Sequence, residues 1–276
     1  MTYAQIFVTY ENQLAAVGEE AESLTFTFRA LKNLDMTAFL LLLRQEVSPE
    51  DQALIDSIAK ELLAHRPAQY IIGYEIFYNL RFKVDERVLI PRPETAELVD
   101  IILAENKQTE LAVLDIGTGS GAIAISLAYH RPSWSVTASD ISADALAVAA
   151  ENASHYQTAL KLIQSDVFSN LSAPFDIIVS NPPYIARADE DEVGLNVLAS
   201  EPHQALFAEE EGLAIYQKIA QGATSHLKLN GKIYLEIGYK QGERVKALFQ
   251  DQFPDRCVRI LQDQFGQDRM VVVDNG

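Results

Sequence analysis

Apolar side chains recur at intervals of three and four in the stretches TYAQIFVTYENQLAAV, AESLTFTFRALKNL and QALIDSIAKELLAHR, the spacing of helices that bury one face. Ser48 can cap the third of these, Pro49 suits the first helical position, and Glu50 and Asp51 favour the positive end of the helix dipole. No strand pattern interrupts them, so residues 1–73 are predicted to form a small helical bundle. From Tyr74 the grammar changes. YEIFYNLRFKVDERVLI is rich in aromatic and β-branched residues without helical spacing, and Asn79 is a plausible turn residue, so a β-hairpin over residues 74–91 is predicted to link two domains.

The remainder, residues 92–276, alternates in type: strand 111–116, helix 121–130, strand 134–139, helix 143–155, strand 160–164, strand 175–180, helix 211–227, strand 231–237, helix 241–252. That alternation predicts an α/β domain with a doubly wound, mostly parallel, Rossmann-like sheet. Two further β-like runs on either side of Gly266 predict an antiparallel pair closing one edge.

At 276 residues the chain is long enough for two domains. Twenty-two basic and 39 acidic side chains leave a formal charge of 22 − 39 = −17, which repels a phosphate backbone, so direct nucleic-acid binding is not expected. The single cysteine, Cys257, cannot form an internal disulfide, and its apolar neighbourhood predicts a packed thiol in a reducing compartment. The start of the chain has no basic segment leading into an apolar core, and AFLLLLR is too short to span a bilayer. A cytoplasmic protein without membrane contact is expected. His65, His130, His155, His203 and His226 are scattered without ligand spacing, so no metal is expected.

In VLDIGTGSGAIAISLA a strand runs into Gly117, Gly119 and Gly121 and then into a helix. Glycines allow positive φ and close approach of a ligand, while the helix start offers unpaired amides. Asp140 ends the next strand 21 residues after Gly119, where a carboxylate can accept from a ribose diol. A nucleoside ligand follows, but the loop alone does not choose its kind: Gly117, Gly119 and Ala122 also satisfy the dinucleotide pattern G-x-G-x-x-A. In QSDVF, Asp166 could reach an adenine amino group while Val167 and Phe168 supply apolar contact; alone, Asp166 reads equally well as a surface turn acid.

The strand in DIIVS then stops at Asn181-Pro182-Pro183-Tyr184. The prolines lack amide hydrogens and end any ladder, placing Asn181 at the rim where parallel sheets bind ligands. If the ligand is S-adenosylmethionine, these residues suit a planar NH2 acceptor. The Asn181 oxygen takes one hydrogen and the Pro182 carbonyl the other, Pro183 bends the chain, and Tyr184 packs on the flat acceptor. Both hydrogen bonds strengthen as the nitrogen gains charge, so they stabilise the transition state more than the ground state, and no strong base is needed.

LDIGTGSG with NPPY resembles class I S-adenosylmethionine-dependent methyltransferases acting on planar nitrogen. IPRPET, the hairpin before it, SEPHQALFA and YLEIGYKQGE further resemble the HemK/PrmC family of release factor glutamine methyltransferases, from about residue 66 onward. The resemblance implies methylation of the side-chain amide in the Gly-Gly-Gln motif of peptide chain release factors, in translation termination, with S-adenosylhomocysteine as product. It implies that Asp115, Gly117, Thr118, Gly119, Ser120, Gly121, Asp140 and Ile141 hold the donor. Asp166, Val167 and Phe168 would border its adenine, and Asn181, Pro182, Pro183 and Tyr184 would hold the glutamine, Asn181 touching the donor as well. The helical region would recognise the protein substrate. The family's PRPETE run ends here in Ala96, with Glu97 one residue on, which leaves that carboxylate without a counterpart. Sister enzymes acting on a large-subunit ribosomal protein tend to read PRSP where this chain has PRPE. DNA adenine methyltransferases share NPPY but not the strongly acidic charge. A non-catalytic nucleoside-binding protein would have little use for NPPY.

Overall fold

Val113 and Leu114 are neighbours in the chain but point to opposite faces of one sheet, and a separate hydrophobic core grows from each. The computed structural model describes residues 1–276, in two compact units: Met1–Tyr74 with Val84–Glu86 and Asp191–Glu201, and Glu75–Lys83 with Arg87–Glu190 and Pro202–Gly276.

The first unit holds helices α1 (Tyr3–Ala16), α2 (Ser23–Leu31), α3 (Met36–Leu42), α4 (Pro49–Leu63) and α5 (Ala68–Ile72). Thr2 and Gln5 close a capping box on α1, and Ser48 caps α4 by accepting from the Asp51 amide, with Pro49 in the first turn. Phe7 meets Phe28 and Phe39 edge-on, at 5.3 and 5.2 Å between centroids, and Leu14, Leu24 and Ile55 complete a buried core. The buried Asp51 carboxylate accepts from the Tyr3 hydroxyl and from Lys32 Nζ. Burial opposes its charge, but those two donors hold its pKa below the usual carboxylate value. Helix α3 was not foreseen, because AFLLLL has no polar face to mark a period; Asp35 starts it by accepting from the Ala38 amide at 2.7 Å.

β1 (Tyr74–Phe77) and β2 (Leu80–Lys83) form the hairpin, with Tyr78 and Asn79 both at positive φ as a tight two-residue turn requires. The strands end earlier than the run to residue 91 predicted. Val84 turns its amide to the Gly73 carbonyl, and Pro91 and Pro93 have no amide to offer a ladder. Pro93 instead begins α6 (Pro93–Glu105), a helix whose start the two prolines disguise in the sequence.

Then follow β3 (Ala112–Ile116), α7 (Ala122–His130), β4 (Ser135–Asp140), α8 (Ala143–Tyr156), β5 (Leu160–Gln164) and β6 (Phe175–Ser180). The helix Ala214–His226, β7 (Leu227–Glu236), the helix Gly242–Gln252, β8 (Cys257–Gln262) and β9 (Asp268–Asp274) complete the unit. The sheet order is β5-β4-β3-β6-β7-β9-β8, parallel up to β7 and antiparallel across β9 and β8. This is the doubly wound, mostly parallel α/β fold, with the antiparallel pair at one edge. The helix predicted from residue 211 starts at Ala214, because Glu210 and Glu211 adopt left-handed φ of 56° and 54°. Cys257 corrects another expectation: it is exposed, at the first position of the edge strand β8, where alternation turns its side chain outward and buries Val258 instead. No helix is long and apolar enough to cross a membrane.

Candidate active site

Registry brings four strand ends into line. Ile116 of β3 pairs with Ser139 of β4 and Ser180 of β6, and Ser180 pairs with Leu235 of β7. Gly117, Asp140, Asn181 and Glu236, each one step beyond, therefore share one edge of the sheet. The chain leaves β3 toward β4 and β5 on one side and returns to β6 on the other, so the connections diverge there and leave a crevice. A cavity of about 460 Å³ fills it. Gly117, Gly119, Asp140, Ile141, Asp166, Val167, Asn181, Pro182 and Pro183 line it, joined by residues not foreseen, such as Phe207, Ile215 and Lys218. Asp115, Thr118, Ser120, Gly121, Phe168 and Tyr184 do not line it.

The glycine loop is held from beneath. Gly117, Gly119 and Gly121 have φ of 71°, 54° and 82°. A Cβ at 117 or 119 would meet nothing within 4 Å, whereas one at 121 would strike Ile125 at 2.7 Å. The first two thus keep the backbone bare on an open side, and the third lets α7 start close to its neighbours. Asp115 supports the turn: its Oδ2 accepts from the Thr118 hydroxyl at 2.7 Å and the Ala124 amide at 3.2 Å. Its Oδ1 is buried without a partner, and burial, aided by the charge of Asp140, pushes its pKa up to about 7. Asn152 of α8 donates to the Ser120 carbonyl and to the Lys83 carbonyl, tying the loop to the hairpin. Asp140 accepts from the Gly119 amide through Oδ2 and from the Ser142 amide through Oδ1, both at 2.9 Å. Burial raises its pKa while those amides oppose the rise.

Beyond β5, the Ser165 hydroxyl binds the Val167 carbonyl and accepts from the Asn170 amide, locking a turn in which Val167 has φ of 50°. A left-handed β-branched residue is strained; here the strain presents Val167 to the cavity. Asp166 also lines it, paired with Lys218 Nζ at 2.9 Å. Phe168 points away. It stacks on His226 at 4.6 Å and lies over Gly222, where any Cβ would collide with its ring.

Asn181 Nδ2 donates to Thr95 Oγ1 at 3.1 Å, and the Thr95 hydroxyl donates to Glu236 Oε2 at 2.6 Å. Thr95 and Glu236 are almost wholly buried. Asn181 Oδ1 and the Pro182 carbonyl accept no hydrogen bond from the chain. Tyr184 was expected to face the acceptor; its ring instead packs against the core of the sheet's other face and beside Gly238, and its carbonyl accepts from Gln241 Nε2 at 3.0 Å. Burial, then the charge of Glu236, raises the pKa of its phenol.

Thr95 and Glu236 were missed. Thr95 stands inside IPRPET, and Glu236 is an acid closing the apolar run KIYLE; an acid at the end of a buried strand was the available signal. Ala96 packs partly buried against the core, and Glu97 lies outside, accepting from the Gln264 amide at 3.3 Å.

A doubly wound sheet whose glycine turn, acid and NPPY segment converge on one crevice defines a class I methyltransferase. Residues 95–209 match the Methyltransferase small domain and residues 5–73 the PrmC N-terminal domain. The chain is 60% identical to a release factor glutamine methyltransferase of Streptococcus pneumoniae, covering 100% of this chain and 99% of the relative. It is 55% identical to one of Lactococcus lactis, covering 94% and 96%. This chain belongs to the release factor glutamine methyltransferase family. A methyltransferase from Pyrococcus furiosus shares the fold at a TM-score of 0.55 and 18% identity, over 83% of this chain and all of that one.

Proposed function

We propose that this protein transfers a methyl group from S-adenosylmethionine to the side-chain amide nitrogen of the glutamine in the Gly-Gly-Gln motif of peptide chain release factors, in the cytoplasm. The observation that carries this reading is a carboxamide oxygen, Asn181 Oδ1, left without an intramolecular donor on a residue that lines the same cavity as the glycine loop.

The residues present suit the donor. Gly117 and Gly119 leave an open cradle that any side chain would occupy. The Asp140 carboxylate has two of its roughly four acceptor sites taken by backbone amides, which leaves capacity for a ribose diol. Ile141, Val167 and Ile215 supply apolar contact for a base. Asp115, Thr118, Ser120 and Gly121 act by shaping the loop. When bound, S-adenosylmethionine supplies a methyl group activated by its sulfonium and leaves as S-adenosylhomocysteine.

Asn181 Oδ1 and the Pro182 carbonyl each accept one hydrogen of the glutamine NH2, which fixes the direction of the nitrogen lone pair. As that nitrogen gains positive charge both hydrogen bonds strengthen, and the methylated nitrogen then loses one proton to water, for which its acidity suffices. Tyr184 and Gln241 brace the segment from behind. The helical unit, with Phe26, Leu40 and Leu41 exposed, recognises the protein substrate.

The test is radiolabelled S-adenosylmethionine offered separately with release factor, ribosomal protein and DNA. Label should enter release factor, and not a variant of it lacking the Gly-Gly-Gln glutamine. Asn181→Ala should lower transfer about 100-fold or more, in the range seen when one transition-state hydrogen bond is removed, with donor affinity within twofold. Label in the glutamine-free variant, or equal loss of affinity and turnover, would contradict the reading.

A further inference from the structure

We infer that Glu236, acting through the Thr95 hydroxyl, decides which end of the Asn181 carboxamide faces the acceptor. The inference rests on the proposed role of Asn181 as an acceptor for the glutamine NH2. A carboxamide has an oxygen end that accepts and a nitrogen end that donates, nearly identical in shape, so packing alone does not choose between them. Hydrogen-bond polarity does. An ionised carboxylate only accepts, so at 2.6 Å from Glu236 Oε2 the Thr95 hydroxyl must spend its one hydrogen there. Thr95 Oγ1 then has only lone pairs left for Asn181, which must present its NH2, as it does at 3.1 Å. Asn181 Oδ1 is turned the other way, with no intramolecular donor. Reversed, Asn181 would offer NH2 to NH2, two donors face to face, and the grip on the acceptor would be lost.

The chain of three spans three elements: Glu236 ends β7, Thr95 lies in the first turn of α6, and Asn181 follows β6. Glu236 does not line the cavity. It is a positioning residue. Burial pushes its pKa up to about 7, against the Thr95 hydrogen bond, the positive charge of Arg269 on β9 and the nearby Asn181 amide, while Glu94 on α6 raises it. Tyr216 donates to the Glu236 backbone carbonyl, and the neighbouring Tyr184 phenol, raised by burial and then by the charge of Glu236, stays protonated near neutrality. Once protonated, Glu236 can donate to Thr95, which frees the hydroxyl hydrogen to turn toward Asn181 and makes the reversed carboxamide equally acceptable.

The test compares Glu236→Gln, Thr95→Val and Thr95→Ser in the full-length enzyme, with kcat and KM for intact release factor, donor affinity by calorimetry, unfolding midpoint, and kcat from pH 5.5 to 9. Gln at 236 keeps the shape but offers a donor as well as an acceptor, so the Thr95 hydrogen is no longer committed, both Asn181 orientations are populated, and kcat at pH 8 should fall at least twofold with donor affinity within twofold. Thr95→Val should behave alike, and Thr95→Ser, which restores the hydroxyl, should return kcat to within threefold of the wild type. Wild-type kcat should decline as pH falls through about 7, and that acid limb should be absent from Glu236→Gln. Should Glu236→Gln fail to fold, the valine and serine pair still decides. A Glu236→Gln kcat within twofold of the wild type, a serine variant as impaired as valine, or an acid limb surviving in Glu236→Gln would overturn the inference while leaving the proposed function standing. A wild-type enzyme that transfers nothing to release factor overturns both.

Discussion

Gly212 lies so close to the Tyr184 carbonyl that a Cβ at 212 would stand 2.9 Å from the carbonyl carbon and 2.6 Å from Gln241 Nε2. Residues 210, 211 and 212 are all left-handed, with φ of 56°, 54° and 81°, a run that two glutamates tolerate only under strain. The turn brings bare backbone against the back of the NPPY segment. Ile185 extends the same clamp by donating to the Leu206 carbonyl at 3.0 Å and accepting from the Ala208 amide at 3.0 Å.

Gly212→Ala should therefore displace Tyr184 and, through it, Asn181. Methyl transfer is expected to fall at least tenfold with donor affinity little changed, together with about 1 kcal/mol or more of lost stability from the positive φ. Turnover and calorimetry on the same preparation check this; an alanine variant with wild-type kcat would show that the clamp does not reach the acceptor site.

Asp140→Ala removes the acceptor of the Gly119 and Ser142 amides along with the proposed ribose contact. Donor dissociation constants should rise at least tenfold, equivalent to about 1.4 kcal/mol. Unchanged affinity in a titration with S-adenosylhomocysteine would exclude the contact.

Asp115 makes stability depend on pH in an identifiable direction. Burial raises its folded pKa from 3.8 to about 7. Its contribution to stability is therefore fully present below about pH 4 and is lost as pH rises through about 7. Asp115→Asn carries no such group, so the wild type should lose stability relative to this variant between pH 4 and 7 and run parallel to it above. Urea unfolding of both proteins at pH 4.5, 6 and 8 measures the difference; a gap that does not change with pH would mean the carboxylate is not desolvated as described.

Phe28 is fully buried where α1, α2 and α3 meet, edge-on to Phe7. Phe28→Ala should cost about 3–5 kcal/mol in the helical unit. A shift of less than 1 kcal/mol in denaturant unfolding would indicate that the bundle core collapses around the gap.

The strand and helix order of the larger unit was legible because each element carries its own period: Leu160–Gln164 and Phe175–Ser180 begin and end where their patterns do. Elements whose signal depends on context were not. Helix α3 carries a single polar residue, Thr37, too little to mark a period, and α6 begins at a proline with another two residues before it. Cys257 misled because its apolar neighbours alternate, and strand alternation at an edge turns it outward.

Local chemistry in the sequence determined the glycine turn, the acid after the next strand and the Asn-Pro-Pro-Tyr exit, since each is specified by residue type at short range. Only the tertiary structure decided which of these residues face the cavity and which stand behind it: Asp115, Phe168 and Tyr184 support, while Gly119, Val167 and Asn181 are presented. It also decided that Thr95 and Glu236, separated from Asn181 by 86 and 55 positions in the chain, meet it in one polar chain. The reason is that hydrogen-bond direction and burial belong to the sheet's register, and register is set by strands that are remote from one another in sequence.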